Sequence, residues 1–485
     1  MTSNDLREFI ERVDQTGECQ TIDGADCETD IGVLTELLQA EANPKLLLFN
    51  NIKGYPPGYR VVSNLFSTQR RTAIGLGLPE EVKGVDLVKA FRDKIKEGIN
   101  LIPPVEVETG PIKENILIGD EVNLFKLPVP KWHERDGGKY IGTGGFSIQR
   151  DPDEGWINLG CYRVQIHDQR TVTAVIAPDH HGAIIRKKYW DRGMTCPVAI
   201  SCGQEPLLFA ASSWERVPWG TSEYDFAGGL RKKPVQVTKG ITTDLLIPAT
   251  AEIVLEGEIM SPEVETRQEG PAGEWTGYYA GGVRAQPAIK INAILHRNAP
   301  IIQGNPPSRL PGVWTLGRDI QKAAVLWDLL DKNLPGVSGV RIIEDAAIHS
   351  IVVISLKQSY DGQAKQAAFL AAGCSATGWS VRFIIVVDED IDPFDNSQIL
   401  WAMGTRCDPA IAINVISGCW GNTLDTMLNP EMKRLKITEN SRAIILACKP
   451  YWWINDFPIP VESSPELLKK TREKFTELFN KPMIK

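Results

Sequence analysis

The period of the hydrophobic pattern changes twice along this chain, and the two changes bound what it can fold into. Up to about residue 98, apolar residues recur at helical spacing. Leu6, Phe9, Ile10 and Val13 form one face of a first helix, which Ser3 or Asn4 can cap and whose positive end suits Asp5 and Glu8. Residues 30–42 and 80–98 read as two further helices, the second with Val82, Val85, Leu87, Val88, Phe91 and Ile95 as apolar positions. Between them Leu46-Leu47-Leu48-Phe49 reads as a buried strand stopped by Asn50-Asn51, and Arg60-Val61-Val62 as a further short one. From about 115 to 310 the helical period nearly vanishes. Short β-rich runs recur instead, at 145–149, 158–167, 171–176, 198–201, 252–259 and 289–295, punctuated by Gly and Pro. A mostly antiparallel domain is expected there, and closing it into a barrel would remove its exposed edges.

After about residue 315 helix and strand alternate. Ile320, Ala323, Ala324, Trp327 and Leu330 line a helix, 351–356 is an apolar strand, and 363–372 is an Ala-rich helix. A second strand at 383–387, a helix at 397–403 and a third strand at 411–415 follow. That βαβαβ order predicts a parallel sheet. The second strand runs into Asp388-Glu389-Asp390-Ile391-Asp392-Pro393. We read it as a solvated turn with capping aspartates in preference to a metal site, although ligands do bind at the carboxyl ends of parallel strands. Ser464-Pro465 opens a last helix through Phe479, with Leu467, Leu468, Thr471, Phe475 and Leu478 on one side, a face suited to a neighbouring domain or subunit. At 485 residues the chain exceeds one ordinary core. The division expected is an N-terminal α/β domain at 1–114, a central β domain at 115–312, a C-terminal α/β domain at 313–455 and a terminal helix at 456–485.

Charge and cysteine content remove several classes. The net charge is −8, and the basic cluster Arg231-Lys232-Lys233 is short, so nucleic acid is not an expected partner. Apolar runs are of strand length, so no membrane span is expected. Asp5, Glu8 and Glu11 occupy an N-terminus without an apolar core of a signal peptide. Nine cysteines, at 19, 27, 161, 196, 202, 374, 407, 419 and 448, include no C-x-x-C pair. Their odd number suits reduced thiols in a cytoplasmic protein.

The chemistry gathers around Trp156-Ile157-Asn158-Leu159-Gly160-Cys161-Tyr162-Arg163. Asn158 and Arg163 are five residues apart, so a regular strand would point them to opposite faces, while a bulge at Gly160 could turn both into one cavity. His181, Glu223, Glu269 and Glu274 follow. An Asn, a His and a Glu can hold one divalent cation; an Arg and two Glu can act on a carboxylate. Taken singly, each is an ordinary turn residue or surface charge, and the reading rests on the set. Gly142-Thr143-Gly144-Gly145 reads as a glycine-rich turn before a strand, since no G-x-x-x-x-G-K-[ST] pattern exists. The segment from His181 to Trp190 reads as a helix start with a basic rim suited to an anionic cofactor.

These residues carry a resemblance. Asn158-x-x-x-x-Arg163, Asp179-His180-His181-Gly182, Gly220-Thr221-Ser222-Glu223-Tyr224, Ile247-Pro248-Ala249-x-x-Glu252 and Glu269-Gly270-Pro271-Ala272-Gly273-Glu274-Trp275 stand in that order, before Val387-Asp388-Glu389-Asp390 and Trp401-Ala402-Met403-x-Thr405-Arg406. Together they resemble the UbiD-type decarboxylases that use prenylated FMN, over roughly residues 45–455. The resemblance implies a central split β-barrel of the flavin-reductase type and a C-terminal domain that mediates homodimers or hexamers. It implies a divalent metal, usually Mn²⁺, on Asn158, His181 and Glu223, clamping the cofactor phosphate. It implies K⁺ near Trp156, Ser212 and Ser213, with Gly160, Cys161, Tyr162, Arg163, His180 and Ser213 also on the cofactor. Arg163, Glu269 and Glu274 match the catalytic set. A flavin prenyltransferase would supply the cofactor. One departure is visible: some relatives bring a lysine from the C-terminal domain, where this chain reads Ala376-Thr377-Gly378.

Loss of CO2 from an sp2 carbon leaves an electron pair that a cofactor must accept. Under this reading Arg163 forks the carboxylate, Glu274 returns a proton and Glu269 orients Arg163. Burial would raise the pKa of Glu274 and Arg163 would lower it, and sequence leaves the balance open. The expected substrate is an aromatic, heteroaromatic or other α,β-unsaturated carboxylic acid, interconverted with CO2. Trp275 and His296, with Tyr278 and Tyr279, are candidates for its pocket, although His296 reads equally as a strand-end residue. Two alternatives are a flavin-binding oxidoreductase on the same barrel and a non-catalytic subunit of a multi-component carboxylase. The Arg with two Glu argues against both.

Overall fold

The first helix forms over Leu6–Gln15, with the four expected apolar residues buried. Its cap is Asp5, which accepts from Glu8 N at 2.8 Å, in place of Ser3 or Asn4. The structure, a computed structural model, describes residues 3–96, 99–214, 217–309, 315–344 and 349–479. The helix expected over 80–98 occupies Val85–Lys96, and residues 97 and 98 lie outside the described set. Two N-terminal elements carry no clear sequence signal. Strand Cys19–Asp23 is a half-exposed sheet edge with no apolar alternation. Helix Gln69–Gly75 buries Arg71, which pairs with Glu18 at 2.9 Å. The N-terminal sheet takes its fourth strand, Ile301–Gln303, from beyond the central β region, pairing it parallel to Arg60–Ser63. The 1–114 layer therefore completes itself with a segment placed by sequence in the next domain.

The central region is a ten-stranded sheet that curls into a half-barrel. Its longest strand, Arg284–His296, pairs with Thr171–Ala174, Ile253–Ile259, Thr266–Glu269 and Asn115–Ile118. The run expected as one strand over 158–167 is two strands, Ile157–Gly160 and Val164–Ile166. They lie near opposite ends of the strand order, the first paired with Gly145–Arg150 and the second with Thr171–Ala174 and Lys139–Tyr140. Only Cys161, Tyr162 and Arg163 join them. At about 3.5 Å per extended residue such a link spans on the order of 14 Å, so the two ends of the sheet must curl to face each other. The site residues are thus set apart by a split in the sheet, not by the bulge expected at Gly160. Gly160 has a different duty: a Cβ there would meet the Tyr162 ring at 2.3 Å.

The C-terminal sheet runs in the order Val337–Ile342, Ile351–Leu356, Phe383–Asp388, Asn440–Ala447, Ile413–Cys419. Its three middle strands are parallel, and both edges are antiparallel. The third parallel strand is Asn440–Ala447, and the segment expected in that role is an edge strand beginning at Ile413. The acidic run behaves as a turn: Asp395 caps helix Asn396–Arg406, and Asp388 and Asp390 pair with Arg406. The terminal helix, Pro465–Lys474 capped by Ser464, continues as a short turn over Thr476–Phe479, and its apolar side is exposed. Among the described residues no helix is long and apolar enough to cross a membrane.

Candidate active site at the split of the central sheet

Two helices begin against strand Ile157–Gly160. One, His181–Trp190, starts at His181; the other, Glu223–Arg231, starts at Glu223. Helix starts point unsatisfied N–H groups and positive dipole ends outward, which suits a phosphate. Asn158 lies on the strand itself and is buried, with its Nδ2 unpartnered. Glu223 is buried too, and its Oε2 accepts from Leu159 N at 2.7 Å. Burial first, against that backbone hydrogen bond, pushes its pKa up to about 8. His181 stands edge-on to Trp156 at 5.7 Å and Trp219 at 5.3 Å, and burial, then His180, lowers its pKa. Neutral imidazole is the ligand form. The Trp156 Nε1 and Gln149 Oε1 atoms are also buried without partners. Among the described residues no group of three His, Cys, Asp or Glu is arranged for a metal. The Asn158, His181, Glu223 set includes an amide and only two of those residue types.

Tyr162 is wedged between two glycines. A Cβ on Gly182 would come 2.9 Å from its hydroxyl, and its ring stacks on His180 at 5.9 Å. Cys161 Sγ lies 3.1 Å from Ser212 Oγ, and burial pushes the thiol up to about 12, so it is inert as a nucleophile. The hydroxyls of Ser212 and Ser213 donate to Phe209 and Ala210 carbonyls at 2.8 and 2.9 Å. The Trp156 carbonyl accepts from Asp151 N at 2.9 Å.

Across the split stands the second set. Arg163 Nε and Nη2 donate to Glu269 Oε1 and Oε2 at 2.8 and 3.1 Å, and Nη1 donates to Glu274 Oε1 at 2.7 Å. Glu269 is wholly buried at the end of strand Thr266–Glu269 and Glu274 nearly so, five residues on in a glycine-rich loop. Burial alone would lower the Arg163 pKa, but the hydrogen bonds it donates to Glu269 and both carboxylate charges win, and it is raised. For Glu274 burial wins against Arg163, so its pKa is raised. The bidentate fork expected for a substrate carboxylate is therefore occupied by Glu269.

Three neighbours were not legible from sequence. The Tyr140 hydroxyl lies 3.0 Å from Glu269 Oε1 and 3.2 Å from Gln165 Oε1. Burial, then Glu269, raises its pKa, so it stays a donor. Gln165 Oε1 also accepts from Gly270 N at 2.9 Å, pinning the start of the loop that carries Glu274. Arg284 Nη2 lies 3.9 Å from Glu274 Oε1. Trp275 packs against Trp379 at 4.8 Å, so a C-terminal residue touches this loop. His296 is placed elsewhere. It ends the 13-residue strand that Arg284 begins, roughly 40 Å of strand away at about 3.4 Å per residue. Its Nδ1 lies 2.9 Å from the Arg297 carbonyl at the end of that strand.

The chain matches three family models: the 3-octaprenyl-4-hydroxybenzoate carboxy-lyase N-terminal domain over residues 10–91, the Rift-related domain over 104–310 and the C-terminal domain over 317–447. It is 32% identical over 423 residues to the pyrrole-2-carboxylic acid decarboxylase of Pseudomonas aeruginosa, covering 84% of this chain and 83% of that one. It is also 32% identical over 445 residues to the phenolic acid decarboxylase of Bacillus subtilis, covering 89% and 90%. Among solved structures, the vanillic acid decarboxylase of Sedimentibacter hydroxybenzoicus in open form superposes with a TM-score of 0.85 at 29% identity, covering 99% of this chain and 100% of that one. An evolved dimeric form of the UbiD-class enzyme HmfF from Pelotomaculum thermopropionicum, in complex with prFMN, superposes with a TM-score of 0.81 at 27% identity, covering 98% and 100%. The chain belongs to the UbiD family of carboxy-lyases.

Proposed function

We propose that this chain is a non-oxidative, reversible decarboxylase of an aromatic, heteroaromatic or other α,β-unsaturated carboxylic acid, working with prenylated FMN. The observation that carries the reading is Arg163 held between two buried carboxylates at the split of the sheet. Three charges are expensive to bury without a use, and Arg163 with Glu269 and Glu274 is a poor substitute for an apolar core. The cofactor, when bound, supplies the electron sink that decarboxylation from an sp2 carbon requires. The residues present fit it. Helix starts at His181 and Glu223, with unpartnered Asn158 Nδ2 and Trp156 Nε1 beside them, suit a phosphate, and Asn158 Oδ1, the His181 imidazole and the Glu223 carboxylate would take a divalent cation such as Mn²⁺. The carbonyls near Trp156 and Ser212 would take K⁺.

The chain's own residues divide the work. Glu269 accepts from two Arg163 nitrogens and from the Tyr140 hydroxyl, and so fixes the guanidinium. Glu274 accepts from a single Arg163 nitrogen and its pKa is raised, so it is the acid that hands a proton to the carbon CO2 leaves. Trp275 supplies an aromatic wall next to it. A flavin prenyltransferase would supply the cofactor. Exposed Ile413 and Val415 on a sheet edge, and the exposed apolar side of the terminal helix, support a homo-oligomer. Light scattering should give a mass well above the 53.7 kDa of one chain. The function is tested by co-expression with a flavin prenyltransferase, then flavin and metal analysis and a screen of aromatic acids for CO2 release. Folded protein that takes up neither flavin nor metal would sink the reading.

A further inference from the structure

A histidine that binds a metal ordinarily donates its second ring N–H to a carboxylate or a backbone carbonyl, which aims the ring. Among the described residues, no protein group hydrogen-bonds a ring nitrogen of His181. Its surroundings are aromatic instead. The imidazole stands at 90° to Trp156 with centroids 5.7 Å apart, and at 88° to Trp219 at 5.3 Å. The two indoles meet each other at 79° and 5.0 Å. Edge-to-face pairs are a favoured aromatic geometry, and three near-perpendicular rings make a corner in which the imidazole cannot turn without striking an indole. Trp219 is itself held from several sides. Pro218-Trp219-Gly220-Thr221 is a turn closed by Thr221 N on the Pro218 carbonyl at 3.1 Å, with Gly220 at φ 84° in the left-handed position. The indole Nε1 donates to Glu154 Oε1 at 3.3 Å. Lys188 lies two turns after His181 on the same helix face and puts its Nζ 4.8 Å over the Trp219 ring. Asp151 at 2.6 Å and Asp153 at 3.1 Å anchor Lys188 in turn. Trp219 is 37% exposed, so these contacts and not the core set its place.

We infer that Trp219 is a positioning residue for the cation site: together with Trp156 it aims the His181 imidazole, in place of the hydrogen bond that serves elsewhere. The inference rests on the reading of Asn158, His181 and Glu223 as metal ligands. The two devices differ chemically. A hydrogen bond to one ring nitrogen fixes the tautomer as well as the direction. Aromatic walls fix the direction and leave the tautomer free, so the ring can present a lone pair to a cation without giving up a protein partner. The turn that carries Trp219 also leads, four residues on, into the helix that begins at Glu223. Trp219 therefore ties the placement of one ligand to the placement of another.

The test is titration of the full chain with Mn²⁺ in the presence of FMN, with free Mn²⁺ read by electron paramagnetic resonance. Trp219→Leu keeps apolar bulk and loses the ring. It should bind Mn²⁺ about 10–100-fold more weakly, the usual cost of removing the group that orients a metal-bound histidine. Trp219→Phe restores an aromatic face and should recover most of the affinity. A double-mutant cycle separates positioning from a merely structural role. In a His181→Gln background, which keeps an oxygen ligand but has no imidazole to aim, Trp219→Leu should add no further loss. Melting temperatures without metal should match wild type in both Trp219 variants. Wild-type affinity in Trp219→Leu overturns the inference, and so does an equal loss in the two backgrounds. Failure of the metal reading looks different: folded wild type would bind no Mn²⁺ at all, and the inference would fall with it.

Discussion

Two groups of polar side chains face the split of the central sheet, and they are finished to different degrees. Around Arg163 each of the three guanidinium nitrogens has a carboxylate oxygen, and Glu269 also has the Tyr140 hydroxyl. Around Asn158 the reverse holds: among the described residues Asn158 Nδ2, Trp156 Nε1 and Gln149 Oε1 are buried and unpartnered, and the buried Glu223 carboxyl accepts from Leu159 N. Buried polar groups are hydrogen-bonded as a rule, so a cluster of exceptions marks where a partner from outside belongs. The first group is set by the protein itself and suits chemistry that must be preorganised. The second suits holding a charged guest. The comparison predicts that damage to the first group changes reaction rate or stability and damage to the second changes loading.

The sharpest break would come at Arg163. Arg163→Ala leaves Glu269 and Glu274 buried without their cation. The loss should be about 3–5 kcal/mol of stability, read from denaturant unfolding, with turnover abolished. Arg163→Lys should restore part of the stability and little of the turnover. An Arg163→Ala protein as stable as wild type would mean the triad is not the self-contained unit described above.

His181→Ala probes the other side. Removing one proposed ligand and the ring that packs against Trp156 and Trp219 should weaken metal and flavin retention about 10–100-fold, with folding intact. Metal analysis and the flavin absorption of the purified protein report it. Equal loss of flavin in His181→Ala and Glu269→Gln would erase the distinction between the groups.

Tyr140→Phe should act more gently, because it removes one hydrogen bond to Glu269 and leaves Arg163 in place. A cost of about 1 kcal/mol, or several-fold in kcat, is expected with KM unchanged. The smallest effect belongs to His296. His296→Gln should leave kcat and KM as they are, and a raised KM for the acid would return that histidine to the pocket.

Much of this could be read from residues, and the failures have physical causes. Leu6, Phe9, Ile10 and Val13 announced their helix because burial and period agreed. Asn440–Ala447 was overlooked because Asn, Ser and Arg head it and hide an apolar end. Strand Cys19–Asp23 is an edge, so nothing requires it to alternate. The run 289–295 marks only the far part of the strand Arg284–His296, so sequence leaves the pocket and strand-end readings of His296 level. Asn158, Arg163, His181, Glu223, Glu269 and Glu274 were legible as candidates through order and spacing, and of these the structure joins Arg163, Glu269 and Glu274 in direct hydrogen bonds. Tyr140, Gln165 and Arg284 were not, because each reaches the site through strand pairing, which a linear pattern does not encode. The split itself, with Cys161–Arg163 crossing it, appears only once Ile157–Gly160 and Val164–Ile166 pair with different neighbours.

The most direct test is the rate of CO2 release by wild type and Glu274→Gln at matched flavin content, followed across pH. The raised Glu274 pKa means the proton is held above the ordinary carboxylate range, so it is available below the shifted pKa and lost as pH rises through it. Wild-type kcat should therefore fall on the alkaline side, and Glu274→Gln should be slower by about 10²–10⁴ with that limb absent. A Glu274→Gln enzyme that carries its flavin and turns over at the wild-type rate, with the same pH limb, would contradict the assignment of the two groups.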